Sequence, residues 1–246
     1  MARKSRIIIV GSGIVGASTA YHLAQLGWKD MVILDQGPLF ETGGSTSHAP
    51  GGVFQTNPSR MMCKFAQYTV DLLRSLSFEG KPCFHTVGGI EVSKTKERHQ
   101  DLYRKLGIAH SYGLTDAKII TPDEVLKMSP YIDPEKIHGG YYVPTDGLAA
   151  PVRAVRAMAK YVTDLKAGEF FGDTAVNGFK IQNNQIRGVQ TSKGDYEADI
   201  VLVSTGIWAP KMGRLANISL PLVPCEHQMV WFCLLYTSPS PRDLKL

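Results

Sequence analysis

A β-branched run, Ile7-Ile8-Ile9-Val10, stops at Gly11-Ser12-Gly13-Ile14-Val15-Gly16, and few folds accommodate that junction. Continuously apolar, the run reads as a buried strand of a parallel sheet. Ala20, Leu23 and Leu26 then recur as one face of a helix over 17–26, Gly27 ends it, and Met31 to Leu34 predicts a second strand followed by Asp35. GxGxxG between strand and helix, with an acidic residue 24 positions beyond Gly11, is the dinucleotide fingerprint. Gly11 allows the tight turn, Gly13 lets backbone approach a pyrophosphate, and Gly16 permits close helix packing. The helix start presents unpaired N–H groups to phosphate charge. Asp35 is expected to accept from an adenosine ribose hydroxyl, which disfavours NADP. The fingerprint by itself leaves NAD and FAD both open.

Composition narrows the remaining classes. The chain has 246 residues, enough for one large or two small domains, and 43% are hydrophobic, which excludes wholesale disorder. Its 27 Lys and Arg against 22 Asp and Glu give a net +5 without a basic stripe, so no nucleic-acid partner is expected. No run approaches the ~20 apolar residues of a membrane span, and Met1 to Arg6 leads directly into the first strand. No membrane insertion and a cytoplasmic or matrix-like compartment are therefore expected. Cys63, Cys83, Cys225 and Cys233 lack CxxC spacing and read as isolated buried thiols, with no metal site.

After Asp35 the chain gives Gly43-Gly44-Ser45-Thr46-Ser47-His48-Ala49-Pro50-Gly51-Gly52, a ligand loop by composition. An NAD-dependent dehydrogenase would leave this loop unexplained. Together with Leu34-Asp35-Gln36-Gly37-Pro38 and Val53-Phe54-Gln55-Thr56-Asn57-Pro58-Ser59, it closely resembles the FAD-dependent amine oxidoreductase family of dimethylglycine oxidase, dimethylglycine dehydrogenase and sarcosine dehydrogenase. The resemblance continues through Val87 to Val92, Val143 to Leu148 and Ala198 to Val201.

That resemblance implies FAD carried covalently by His48 through the 8α-methyl group, with Ile14, Val15, Asp35, Gln36, Ser45, Thr46 and Ser47 at cofactor-contacting positions. Val176 matches a position that meets the adenine end through its backbone, and Gly206 one that permits a close pass beside the dinucleotide. At Gly52 the oxidase tends to carry a larger aliphatic residue, which predicts looser flavin packing here. His227 matches the family's active-site histidine. The implied substrate is a small N-methylated glycine, dimethylglycine or sarcosine. Hydride transfer to flavin leaves an iminium ion, and either oxygen or an electron-transfer flavoprotein accepts the electrons. Tetrahydrofolate would belong to a C-terminal domain beyond this chain. A non-catalytic relative of the same architecture, the regulatory subunit of pyruvate dehydrogenase phosphatase, is the competing reading.

The expected fold is α/β, a Rossmann-like FAD-binding domain with an interleaved, incomplete substrate domain built on a mixed or antiparallel sheet. The FAD-binding domain is assigned residues 5–79 and, on its return, 146–220. The substrate domain is assigned 80–145 and begins again at 221–232. Helical recurrence predicts a helix over 59–76 with Met61 and Met62 in the core, a charged helix over 94–106, a helix capped by Thr121 and another over 151–165. Strands are expected at 89–93, 139–143 and 200–203, with a β-meander from Thr174 and a strand over 221–230 that carries His227. Residues 233–246, from Cys233-Leu234-Leu235-Tyr236, depart from the family pattern and resemble translated sequencing adapter, so the native part is expected to end at Phe232.

Overall fold

A computed structural model describes residues 3–225 apart from residue 42. The order is β1 (Arg3–Val10), α1 (Ile14–Gln25), β2 (Met31–Leu34), α2 (Ser45–His48), β3 (Gly52–Val53), α3 (Arg60–Ser75), β4 (Ser77–Phe78), β5 (Lys81–Pro82), β6 (Phe84–His85), β7 (Gly89–Ser93) and α4 (Lys96–Ser111). There follow β8 (Lys118–Ile120), α5 (Pro122–Met128), β9 (Gly139–Val143), β10 (Gly147–Ala149), α6 (Pro151–Asp164), β11 (Gly168–Phe171), β12 (Val176–Gln182), β13 (Gln185–Thr191), β14 (Gly194–Val203) and α7 (Ala209–Leu215).

The principal sheet has the order β11-β2-β1-β14-β13-β12. Its first four strands are parallel, and β13 and β12 continue it antiparallel as the expected meander. Alternation along β1 explains how both faces are covered. Ile7 and Ile9 pack with α1 (Ala17, Ala20, Tyr21), α6 (Ala154, Val155, Met158, Val162) and α3 (Val70, Leu73). Ile8 and Val10 face the other way, against Val176, Val189, Ala198 and Met212. The central stretches, Ile7 to Val10 of β1 and the whole of β2, are therefore apolar at every position, which is why the sequence pattern found them.

A second sheet, β7-β9-β8, is antiparallel throughout its described strands. Helix α4 packs there through Leu102 and Ala109 on Tyr141 and Val143, while Val125 of α5 meets Ile120 and Ile137. A small sheet, β3-β10-β6, stands beside the link between the two. There Asp146, in the β9–β10 turn, accepts from the backbone N–H of Gln55 and from its Nε2, both at 3.0 Å, and its carbonyl accepts from Gly88 N–H at 2.9 Å.

Several expectations are corrected. Met61 and Met62 are 59% and 49% exposed, because the inward stripe of α3 is set by Cys63, Val70 and Leu73. Leu26 caps α1 rather than belonging to its buried face, and is exposed. Residues 221–225 form no strand; Pro221 and Pro224 have no N–H to give a ladder. Cys63 and Cys83 are buried as expected, but Cys225 is exposed. His227, Cys233 and the suspected adapter tail lie outside the described residues. No helix of the described residues is long and apolar enough to cross a membrane.

Candidate cofactor cleft

The ends of β1, β2 and β14 are drawn together by short backbone bonds. Gly11 N–H donates to Leu34 O at 2.7 Å and Ser204 N–H to Val10 O at 2.8 Å. The Ser204 hydroxyl also reaches Val10 O (2.9 Å) and Gly11 O (3.1 Å). Gly11 has φ +105°, and a Cβ there would stand 2.5 Å from Ser204 O. A Cβ on Gly16 would stand 1.9 Å from Gly11 O, so this glycine is what lets α1 close on the turn. Gly13 opens α1 and would touch only Thr46 Oγ1, at 3.2 Å.

Asp35, 7% exposed, is held by the loop it follows in space. Ser12 gives its Oδ2 both an N–H (2.7 Å) and a hydroxyl (2.8 Å), and Gly37 N–H reaches Oδ1 at 3.3 Å. The carboxylate is thus oriented by the fold itself, with acceptor capacity left on Oδ1. At the start of α1, Ile14 N–H donates to Thr46 Oγ1 at 3.0 Å, which ties the fingerprint helix to the α2 turn.

These elements enclose a cleft of about 390 Å³. Its walls include Gly11, Gly13, Ile14, Val15, Asp35, Gln36, Ser45, Thr46, Val176 and Gly206, ten of the positions singled out from the sequence. Gly16 lies beneath, in the helix-turn contact. Ser47 and His48, at the far end of α2, and Gly52, in β3, are not part of the wall. His48 is exposed. The Ser47 hydroxyl donates to Gly44 O at 3.0 Å, and His48 Nδ1 lies 3.1 Å from Ser47 Oγ and 3.2 Å from Gly44 O. Gly44 O can only accept, so the contact to it is one in which Nδ1 donates.

The sequence reading missed Thr174, Ala175, Thr205, Lys211 and Met212 in this wall. Thr205 and Trp208 flank the Gly206 already noted, so that motif could have been extended. Lys211 gave no signal, yet it is the one cation among the described lining residues, opposite in sign to Asp35. The cleft fits a dinucleotide on its own features: an apolar wall, one oriented carboxylate and one cation.

A second polar cluster lies at the junction of the small sheet and β9. Asp146 is buried, and burial pushes its carboxyl above the usual value, against the hydrogen bonds from Gln55, which lower it. Burial likewise raises Tyr141, whose hydroxyl sits 2.6 Å from Thr56 Oγ1.

Comparison with known proteins places this geometry. The family model described as DAO, FAD dependent oxidoreductase, matches residues 6–244. Rat mitochondrial dimethylglycine dehydrogenase is 30% identical over 248 residues, covering 98% of this chain and 28% of that protein. The mitochondrial regulatory subunit of pyruvate dehydrogenase phosphatase from mouse is 31% identical over 229 residues, covering 91% of this chain and 26% of that protein. Among solved structures, L-proline dehydrogenase from P. horikoshii aligns with a TM-score of 0.79 at 28% identity, over 89% of this chain and 57% of that one. The chain spans about a quarter of the length of these curated relatives. Fingerprint, cleft and family match agree: the chain belongs to the DAO family of FAD-dependent oxidoreductases.

Proposed function

We propose that the protein containing this chain oxidises an N-methylated glycine, dimethylglycine or sarcosine, with FAD held in the cleft and attached through His48. The observation that carries this reading is α2. A single turn joins Ser45 and Thr46, in the cleft wall, to His48, whose Nδ1 is engaged by Ser47 and Gly44 and whose Nε2 is left to form a bond. FAD, when bound, supplies a two-electron acceptor. Asp35 orients the ribose, the N–H groups at the start of α1 and Lys211 meet the diphosphate, and Val176 and Gly206 shape the remaining wall. His227 serves as the base that keeps the substrate amine unprotonated, since an imidazole titrates near neutral pH. Loss of hydride from the N-methyl carbon to FAD would leave an iminium still bonded to nitrogen, and the carbon would depart when water cleaves that bond to give formaldehyde and the amine, or when tetrahydrofolate in a further domain takes it up. Oxygen or an electron-transfer flavoprotein is the acceptor, and the cytoplasm or the mitochondrial matrix the setting.

Acid precipitation tests the attachment. The denatured protein should retain flavin absorbance, and His48→Ala should release all of it to the supernatant; colourless precipitate from the wild type overturns the His48 assignment. A second reading, a flavoprotein-like regulatory subunit, is favoured by the 31% identity to the mouse phosphatase subunit. The two differ in one measurement. Dimethylglycine or sarcosine bleaches the flavin of an oxidoreductase under anaerobic conditions, and no N-methylated amino acid does so for a scaffold.

A further inference from the structure

Helix α3 carries more apolar surface than the described residues cover. Cys63 and Val70 face the core, while Met61 and Tyr68, each two residues earlier and so about 200° round the helix, face the opposite way. Phe65 falls between them, and Leu72 continues the same outer stripe one turn further on. Leu72 packs against the core of the principal sheet, but the earlier part of the stripe is bare: Phe65 is 57% and Tyr68 52% exposed. The helix is not free to turn that stripe inward. Cys63 Sγ accepts from Asn57 N–H at 3.1 Å and lies 3.2 Å from Asn57 O, which fixes the inward face at the start of α3. Tyr68 is fixed as well. Ser18 O can only accept, so His22 Nδ1 donates to it at 2.7 Å, and Nε2 of the neutral ring accepts from the Tyr68 hydroxyl at 2.7 Å. A contact made by a side chain already held in place costs less ordering entropy.

Contiguous exposed apolar surface of this kind marks a contact site. Chain length says what the contact is with. This chain spans about a quarter of the dimethylglycine dehydrogenase and the phosphatase subunit, and 57% of the L-proline dehydrogenase whose fold it matches at a TM-score of 0.79. Relatives built on this fold therefore hold further chain that packs outside the described elements. We propose that the stripe Met61, Phe65 and Tyr68 is the docking face for the rest of the protein's own polypeptide, the portion beyond this chain, which lays an apolar segment against it. The assignment does not depend on the cofactor or on the substrate.

Methionine oxidation by hydrogen peroxide, read by peptide mass spectrometry, tests the contact at Met61. In the native longer protein that contains this chain, Met61 should oxidise about tenfold or more slowly than in the same protein unfolded in urea. In the 246-residue chain it should oxidise at a rate close to that of Met128, which is 46% exposed on α5. Phe65→Ala gives a second reading. It should shift the melting temperature of the 246-residue chain by no more than about 2 °C, as exposed substitutions do, and lower that of the longer protein by about 4 °C or more, as truncation of a buried ring does. Met61 oxidised as fast in the native longer protein as in the unfolded one overturns the proposal, as does an equal loss from Phe65→Ala in both proteins. Protection of Met61 that arises in the 246-residue chain by itself and grows with its concentration identifies a second copy as the occupant, and also overturns it. If the 246-residue chain does not melt cooperatively, the oxidation ratio in the longer protein decides alone.

Discussion

Substituting the three fingerprint glycines by alanine should separate roles that the motif writes as one. At Gly16 the new Cβ would stand 1.9 Å from Gly11 O, an oxygen already bonded to Ser204 Oγ at 3.1 Å, and 2.8 Å from that Oγ. Neither a backbone carbonyl nor a hydroxyl fixed by two bonds can step aside cheaply. Overpacking of this kind costs about 1–3 kcal/mol, and the upper end applies here. Alanine returns about 1 kcal/mol of helix propensity inside α1, so the net loss is about 2 kcal/mol. For a domain of this size that is a fall of about 4–8 °C in Tm. At Gly11 two costs add, about 1–2 kcal/mol for a side chain at φ +105° and the contact 2.5 Å from Ser204 O. Gly27, at φ +82° with open space around it, supplies the control that isolates strain, at about 1 kcal/mol. Gly13→Ala meets only the Thr46 hydroxyl at 3.2 Å, so it should cost the fold about 1 kcal/mol or less while impairing FAD binding most for its stability loss. Urea unfolding of each variant, with FAD titration alongside, reads both quantities. A Gly16→Ala protein within 0.5 kcal/mol of wild type would refute the close helix-turn contact as a source of stability.

Two further perturbations probe the polar contacts. Burial raises the folded-state carboxyl of Asp146 above 3.8, so its favourable contribution is complete below that value and is lost as pH rises through the raised one. Wild type should therefore lose stability relative to Asp146→Asn between about pH 4 and neutrality, read from urea midpoints at the two ends; a constant difference rejects the burial argument. Ser12→Ala removes the 2.8 Å hydroxyl bond to Asp35 but keeps the 2.7 Å N–H bond, and should cost about 1–2 kcal/mol in the same unfolding assay. No loss would mean that solvent replaces the hydroxyl and that Asp35 is positioned by backbone alone.

The cofactor half was legible because its signals are local. Ile7 to Asp35 spans strand, glycine turn, helix and strand, and each step has its own residue chemistry. Asn183 and Asn184, both at positive φ, likewise marked the β12–β13 hairpin in advance. What failed was burial at helix ends: Met61 and Met62 share the periodicity of a core helix, and only the packing of Cys63, Val70 and Leu73 shows which stripe faces inward. The Gln55–Asp146 latch was visible only as two family-like segments, since nothing in either predicts a bond across 91 positions. Lys211 and Thr205 entered the cleft through the fold of β14 and α7, an arrangement with no linear spacing to read.

The Gly52 position shows how a departure from a family pattern changes meaning once neighbours are known. A missing aliphatic side chain there predicts a gap and looser packing. The Phe54 ring, just beyond β3, however lies over that site, with ring carbons 3.4 and 3.7 Å from where a Cβ on Gly52 would be. Leu148, the strand partner of Gly52 across β10, is half-exposed on the same small sheet, and Phe54 itself is 68% exposed. A Cβ at 52 would meet that ring at ordinary van der Waals distance. The Phe54 ring thus lies beside the backbone that Gly52 leaves bare. The expected gap at Gly52 is therefore flanked by an aromatic ring, which argues against loose packing at this point of the small sheet.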